Sequence, residues 1–162
     1  ALPICGPGSF SGVRINAAVA QALAWSHDLP VIPVSTLQAL AQAAYRLAGL
    51  SAVTAVLDAR MNEVYIASFQ LDAEGIMQPV SEEQLLGYSD AAAVAQSPLV
   101  GSGSTLLQQE QTQYKDLSAT AQDIATIARV LAQREAWVSA EYALPVYLRD
   151  NAWKKIPEQG KA

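Results

Sequence analysis

The chain has 162 residues, of which 51% are hydrophobic and 15% charged, so it can build a substantial core and is not disordered. Its net charge of −5 argues against gripping a nucleic-acid backbone by itself, and one cysteine with one histidine excludes an internal disulfide and an ordinary Cys/His zinc site. Since no apolar run reaches the ~18 residues of a membrane span, we expect a cytoplasmic protein that makes no membrane contact.

The first 49 residues alternate between short apolar runs and alanine-rich stretches. Ser9 or Ser11 is placed to cap the first helix, and Gly49 to end the second. His27 falls at the C-terminal end of the first helix, where it would interact with the helix dipole. Strand, helix, strand, helix is typical of an α/β layer. The predicted elements are a strand at 1–5, a helix at 13–26, a strand at 31–34 and a helix at 36–47.

After Gly49 the pattern changes to a meander of strands with a short hairpin at 60–62. The glutamine-rich stretch 102–117 predicts mostly loop, and the last helix extends from Thr120 or Ala121 to about Trp137. We place a domain boundary after Gly49, which divides the chain into 1–49 and 50–162. The other predicted elements are strands at 52–59, 63–71, 76–80 and 99–101, a short helix at 89–96 and an extended tail at 145–149.

The turn between the first strand and helix is the most informative local feature. It is rich in glycine, and a turn of that kind at a helix N-terminus can hold a phosphate or a carboxylate. It lacks the Lys-Ser/Thr pair of a P-loop and the downstream acid of a dinucleotide fingerprint. The simpler interpretation, a tight turn with a serine cap, is favoured when the turn is considered alone.

The first helix carries small side chains on two faces. One stripe contains five residues and the other contains Ala18, Ala22 and Trp25. Small residues on two faces let a helix pack closely on its own core and on a second helix. The alternative, in which this chain covers both faces, is equally compatible with the pattern. The five residues of the first stripe are Val13, Ala17, Ala20, Gln21 and Ala24.

Few residues suit catalysis. Asp58 and Glu63 could serve acid/base chemistry, but carboxylates at a hairpin end are more often solvated or paired, here with Arg60. No Ser-His-Asp motif is present, and Cys5 is either activated by the helix N-terminus or, as we favour, buried and inert. The tail at 147–155 mixes aromatic and basic groups, so it could contact RNA, dock on a protein or remain solvated.

The turn and the start of the helix read Gly6-Pro7-Gly8-Ser9-Phe10-Ser11-Gly12-Val13-Arg14-Ile15. This run resembles the Gly-Pro-Gly-Ser-Phe-Thr-Gly-x-Arg signature of the TsaB (YeaZ) family of the tRNA threonylcarbamoyladenosine pathway. Four further stretches resemble the family in the expected order: 29–37, 58–65, 101–103 and 145–155.

The resemblance implies a two-lobed, actin-like ATPase (ASKHA, RNase H-like) α/β fold, in a member that has lost catalysis. It implies a scaffold and activating partner of TsaD, which works with TsaE to attach threonylcarbamoyl to tRNA adenosine beside the anticodon. A homodimer is possible, and tRNA would be involved only indirectly. The opening strands and first helix of the N-terminal lobe have no counterpart here, so we expect that lobe to be incomplete.

By resemblance, the signature turn and the helix after it form the pairing site, and the partner face falls on Val13, Ala17, Ala20, Gln21 and Ala24. The hairpin at 60–63 has no glycine to cradle a phosphate, and paired metal-binding histidines are lacking. We therefore predict no catalytic residue, no metal and no cofactor. Two alternatives remain: a peptidase that uses Ser9, Ser11 or Cys5 with His27, and a weak nucleotide-binding module.

Overall fold

The computed structural model describes residues 4–96, 98–107 and 113–149. The strands among them are β1 (Ile4–Gly6), β2 (Val34–Ser35), β3 (Ala52–Arg60), β4 (Glu63–Leu71), β5 (Met77–Pro79), β6 (Gln84–Gly87) and β7 (Leu99–Val100). The helices are α1 (Phe10–Ser26), α2 (Thr36–Ala48), α3 (Tyr88–Val94), α4 (Ser104–Leu107) and α5 (Ala121–Gln133), followed by a 3-10 helix at Ala140–Tyr142.

The strands form two sheets. β1 and β2 pair in parallel, and a five-stranded sheet has the order β5-β4-β3-β7, with β6 also paired to β4. β3 and β4 are antiparallel from Ala52 opposite Gln70 to Arg60 opposite Glu63, which confirms the predicted hairpin. Its turn is closed without glycine, because Arg60, Met61 and Asn62 all adopt positive φ.

Helix α2 lies in the centre of the fold. The Ser35 side chain caps it by accepting hydrogen bonds from the N–H groups of Leu37 and Gln38, and Gly49 ends it in the left-handed conformation at φ 67°. The helix buries residues on most of its circumference, and one side of it packs against the larger sheet. The core cluster there combines Leu37, Leu40, Ala41 and Ala44 with Val53, Ala55, Ala67, Phe69, Met77 and Val100. It therefore contains residues from both sides of the boundary predicted at 49–51, which itself stays a prediction.

Helix α5 packs on the other side of α2. Its start is fixed by a capping box between Thr120 and Asp123, and Asp123 also receives two hydrogen bonds from the Arg46 guanidinium at 2.7 and 2.9 Å. The helix ends at Gln133, four residues before the predicted end at Trp137. The cause is the positive φ of Glu135, 56°, which turns the backbone out of the helix.

Three elements were not predicted from the sequence: β6, α4 and the 3-10 helix. α4 lies within the stretch predicted to be mostly loop. The strand predicted at 31–34 is shorter than expected, because only Val34 and Ser35 pair with β1 while Val31 forms an isolated bridge with Val138. Within the described part of the chain, no helix combines the length and the apolar character that crossing a membrane requires.

Candidate functional site

The glycine-rich turn, residues 6–12, leads from β1 directly into α1. Ser9 is the N-cap: its Oγ accepts a hydrogen bond from the Gly12 N–H at 3.2 Å, and its carbonyl oxygen accepts one from the Val13 N–H at 3.0 Å. A Cβ on Gly12 would lie 2.6 Å from Ser9 Oγ. The turn therefore has the serine cap that the sequence predicted, and glycine at position 12 is what leaves room for the capping hydroxyl.

Helix α1 has one buried and one exposed face. Four of the five residues predicted to meet a partner are buried at 1–7% exposure: Val13, Ala17, Ala20 and Ala24. Gln21 is half-buried. These side chains pack against the protein's own residues and leave little surface for another molecule, and the assignment of the partner face to this stripe stays a prediction.

The opposite face of α1 is apolar and solvent-exposed. Ile15 is 64% exposed, Val19 and Leu23 are each 54% exposed, and Trp25 is 73% exposed at one edge. Ala18 and Ala22 lie between them and are also exposed. We call this surface the outer face of α1. The sequence pattern placed Ala18 and Ala22 on a different stripe from the five predicted partner residues. It did not indicate which of the two stripes is buried.

A cleft of about 820 Å³ lies between the glycine-rich turn and the β3–β4 hairpin. Three arginines line it, and each is already engaged. Arg60 pairs with Asp58, two residues earlier on β3, at 3.0 Å, as predicted. The other lining residues include Pro7, Gly8, Ser9, Phe10, Thr36, Leu57, Tyr65, Ser102, Val146 and Leu148.

Arg14 and Tyr147 join α1 to the C-terminal segment across 133 positions of sequence. The Arg14 Nε donates to the Tyr147 hydroxyl at 2.8 Å, and its guanidinium carbon lies 3.9 Å from the centre of the Phe10 ring. The Phe10 and Tyr147 rings are tilted with centroids 6.3 Å apart. Arg14 is thereby fixed between two aromatic rings, a geometry that suits a guanidinium.

Arg149 binds the opposite wall of the cleft. Its Nη1 forms an ion pair with Glu63 Oε2 at 2.6 Å, and its Nη2 donates to the Ala59 carbonyl at 3.2 Å. The Glu63 oxygen has this ion pair but no aligned hydrogen bond among the described residues. The second hairpin carboxylate is therefore paired, although with Arg149 rather than with Arg60 as the sequence suggested.

The arrangement does not support a peptidase. Ser9 is the N-cap and His27 the C-cap of the same 17-residue helix, so they lie roughly 25 Å apart along its axis. The C-cap position of His27 is as predicted, and its interaction with the helix dipole stays a prediction. Burial, with a smaller contribution from the negative charge of Glu83, raises the pKa of the Cys5 thiol to about 11, which keeps it protonated and unreactive at neutral pH.

No group of three or more histidine, cysteine, aspartate or glutamate side chains in the described ranges could hold a metal ion. The aromatic and basic residues predicted at 153–155 to contact RNA or protein lie outside the described residues. Sequence reasoning missed the contacts of Tyr147 and Arg149, because neither residue has a local partner that a spacing rule could detect.

Comparison with known proteins matches this chain to one family of sequences and to several named relatives. The sequence model of the family described as TsaD, tRNA N6-adenosine threonylcarbamoyltransferase, matches residues 4–134. The tRNA threonylcarbamoyladenosine biosynthesis protein TsaB of Escherichia coli (strain K12) is 40% identical over 165 residues, which cover 94% of this chain and 71% of that protein. The protein of the same name from Haemophilus influenzae is 37% identical, with the same two coverages of 94% and 71%.

The solved structure of YeaZ from Pseudomonas aeruginosa superposes with a TM-score of 0.80 at 37% identity, over 90% of this chain and 72% of that one. This likeness confirms the predicted α/β, actin-like fold. Matches over most of both chains, at this identity, are enough to show the family. The chain thus belongs to the TsaB (YeaZ) family, within the wider family that includes TsaD.

Proposed function

We propose that this protein is a non-catalytic scaffold and activating partner of TsaD in threonylcarbamoyl transfer to tRNA adenosine beside the anticodon. Its relatives are named as threonylcarbamoyladenosine biosynthesis proteins. The observation that carries the proposal is the outer face of α1, a continuous apolar surface on a helix that is otherwise well formed. The acidic, cysteine-poor composition supports a cytoplasmic site of action, and TsaE would join the same assembly.

The outer face has the properties of a helix–helix interface. Full burial of one large aliphatic side chain contributes about 1.5–3 kcal/mol, so Ile15, Val19 and Leu23 together could support a stable complex even after the costs of association. Ala18 and Ala22 between them allow two helix axes to approach to about 8 Å. Trp25 at the edge is the residue type most often found at energetic hot spots.

TsaD is the occupant that the family match favours. Because this chain matches the TsaD family over residues 4–134, a TsaD protein contains an element equivalent to α1 in the same position of the fold. Two related folds that present the same helix can pair about a pseudo-two-fold axis, as two identical subunits do about a true one. The same argument makes a homodimer the natural competitor for the surface.

The test is a pair of matched variants. Val19→Asp places a charge in the middle of the outer face, and Val80→Asp places the same charge at a residue of similar exposure, 59%, outside α1. We expect Val19→Asp to weaken binding to TsaD at least about 100-fold by surface plasmon resonance, because an unpaired carboxylate would be buried in the interface. Val80→Asp should bind as the wild type does.

Unchanged TsaD affinity in Val19→Asp would contradict the proposal. Loss of self-association with TsaD binding retained would assign the face to a second copy of this chain instead. The functional readout is threonylcarbamoyl incorporation into tRNA by the reconstituted proteins. We expect none from this protein alone, and activity with TsaD and TsaE that the Val19→Asp variant fails to support.

The cleft favours a second candidate, weak nucleotide binding. Its volume would accommodate a nucleotide, and Arg14, Arg60 and Arg149 outnumber the single lining carboxylate of Asp58. Each guanidinium would have to exchange its present partner for a phosphate, which explains why binding would be weak. Calorimetric titration with ATP tests this candidate: micromolar binding that is reduced in Arg60→Ala would support it, and no heat of binding would exclude it.

A further inference from the structure

Residues 146–149 line the cleft and contact both of its walls. At one end this segment lies directly on β1: the Val146 N–H donates to the Cys5 carbonyl at 2.8 Å. A Cβ on Gly6 would lie 3.0 Å from the Val146 carbonyl oxygen, and Gly6 has φ 113°. Glycine at this position therefore serves two needs, a left-handed backbone and the close approach of a second chain segment.

Two side chains of this segment contact different walls of the cleft. Tyr147 contacts the first turn of α1 through Phe10 and Arg14, and Arg149 contacts the hairpin through Glu63 and Ala59. Arg149 also places Nη1 3.6 Å from the Met61 sulfur. Only Leu148 lies between Tyr147 and Arg149 in the sequence. The residue that contacts α1 and the residue that contacts the hairpin are therefore connected by a short stretch of backbone.

Helix α1 depends on these contacts more than its length suggests. Its buried face consists of one valine and three alanines, so three of its four buried positions contribute only about the transfer free energy of one methyl group each. Among the elements that the structure describes, it packs mainly against β1 and the 3-10 helix. The hydrogen bond, ring contact and cation–π contact at Arg14 are thus a large share of what holds its N-terminal end.

We propose that residues 145–149 form a strap that couples the β3–β4 hairpin to the first turn of α1. Release of Arg149 from the hairpin would loosen the first turn of α1 as well, and the reverse holds because coupling between two sites is reciprocal. The strap itself is independent of the proposed function. Only its consequence, that the hairpin influences docking, rests on α1 being the docking helix.

Native-state hydrogen exchange tests the coupling. In Arg149→Met, which keeps an apolar stem but removes the ion pair, we expect exchange of the Gly12 and Val13 amides to rise several-fold, although Arg149 touches neither residue. The matched control is Arg134→Met. Arg134 is likewise a partly exposed arginine in an ion pair, here with the carboxylates of Asp72 and Glu74, but it does not contact the strap, so exchange in α1 should not change.

The reciprocal variant is Tyr147→Ala, which should raise exchange at the hairpin amides of Asn62 and Glu63. The proposal would be overturned if amide exchange rose only on the side of the cleft that the mutated residue contacts, or if it did not rise at all. Arg149→Lys keeps the charge and the fold while losing the two-pronged contact, and should give an intermediate effect at Gly12 and Val13.

The two proposals can fail separately. If α1 is the docking helix, Arg149→Met should weaken TsaD binding by a factor similar to the rise in exchange at its first turn. A rise in exchange with unchanged TsaD affinity would retain the strap and remove its link to docking. Unchanged exchange with weakened affinity would place Arg149 in the interface itself and remove the strap.

Discussion

Helices α1 and α2 are both rich in alanine, yet the protein uses them in opposite ways. α2 has 13 residues, seven of them buried, and side-chain or left-handed caps at both ends. α1 has 17 residues and only four buried, all on one narrow stripe. Alanine content therefore does not distinguish a core helix from a surface helix. What distinguishes them is the leucines: those of α2 that point inward build the core, whereas Leu23 of α1 points outward.

The largest expected effect follows from replacing a leucine in α2. Leu37 is fully buried in the core cluster under the larger sheet. Leu37→Ala should lower the free energy of unfolding by roughly 2–5 kcal/mol, because it loses transfer free energy and leaves a cavity. Urea denaturation monitored by circular dichroism measures this, and a loss under about 1 kcal/mol would mean that the core repacks freely.

The next effect concerns the ion pair that ties α2 to α5. Asp123→Asn removes the charge-assisted hydrogen bonds from Arg46 and should cost about 1.5–3 kcal/mol. Burial alone would raise the pKa of Asp123, but the hydrogen bonds from Arg46 and Thr120 outweigh it, and the pKa lies below its usual value. The contribution of this ion pair to the free energy of unfolding is therefore fully present above the unfolded-state pKa of about 3.9. It is lost as the pH falls through the lower folded-state pKa.

Denaturation of wild type and Asp123→Asn from about pH 7 to about pH 3 checks the sign, and the difference between them should shrink towards the acid end. Asp116→Asn, at an exposed carboxylate, is the control. A difference that grew on acidification would show that the Arg46–Asp123 pair is not the source of the stability.

A smaller effect separates the two N-caps. Ser35→Ala removes two capping hydrogen bonds and leaves the partly buried Glu83 without its hydroxyl partner, so we expect a loss of about 1–2 kcal/mol. Ser9→Ala removes one exposed capping bond and should cost about 0.5–1 kcal/mol. Thermal melts of the two variants under one condition give the comparison, and the reverse order would contradict it.

The smallest effect belongs to the outer face. Leu23→Ala is the same chemical change as Leu37→Ala, but the side chain is 54% exposed, so the free energy of unfolding should change by no more than about 0.5 kcal/mol. In the same variant, binding to TsaD should weaken measurably. A large loss of stability from Leu23→Ala would show that another part of the protein covers this face, and it would end the docking proposal.

The sequence predicted those elements whose determinants are local. The hairpin at 60–62, the serine cap of α1 and the end of α2 at Gly49 all follow from residues within a few positions of one another. The early end of α5 was missed because no glycine marks it, and the left-handed residue there is Glu135. A non-glycine residue at positive φ gives no reliable sequence signal.

The orientation of α1 and the strap could not be predicted for a different reason. Both stripes of α1 are rich in alanine, and the packing against β1 and the 3-10 helix, which decides which stripe is covered, leaves no mark in the local pattern. The contacts of Arg14 with Tyr147 and of Arg149 with Glu63 span 133 and 86 positions (149 − 63). Side-chain pairs so far apart become visible only when the chain has folded.

The inner face of α1, which consists mainly of alanine methyl groups, affects how the axial position of the helix is fixed. Alanines at 17, 20 and 24 present nearly the same contour after a shift of one turn, so they offer little resistance to the helix sliding along its own axis. Its axial position then depends on contacts with other segments near its two ends, the Arg14–Tyr147 hydrogen bond at one and the packing of Ala24 with Val31 and Ala143 at the other. If a partner binds Ile15, Val19 and Leu23, the axial position at which it finds these side chains is therefore set by residues far from them in the sequence.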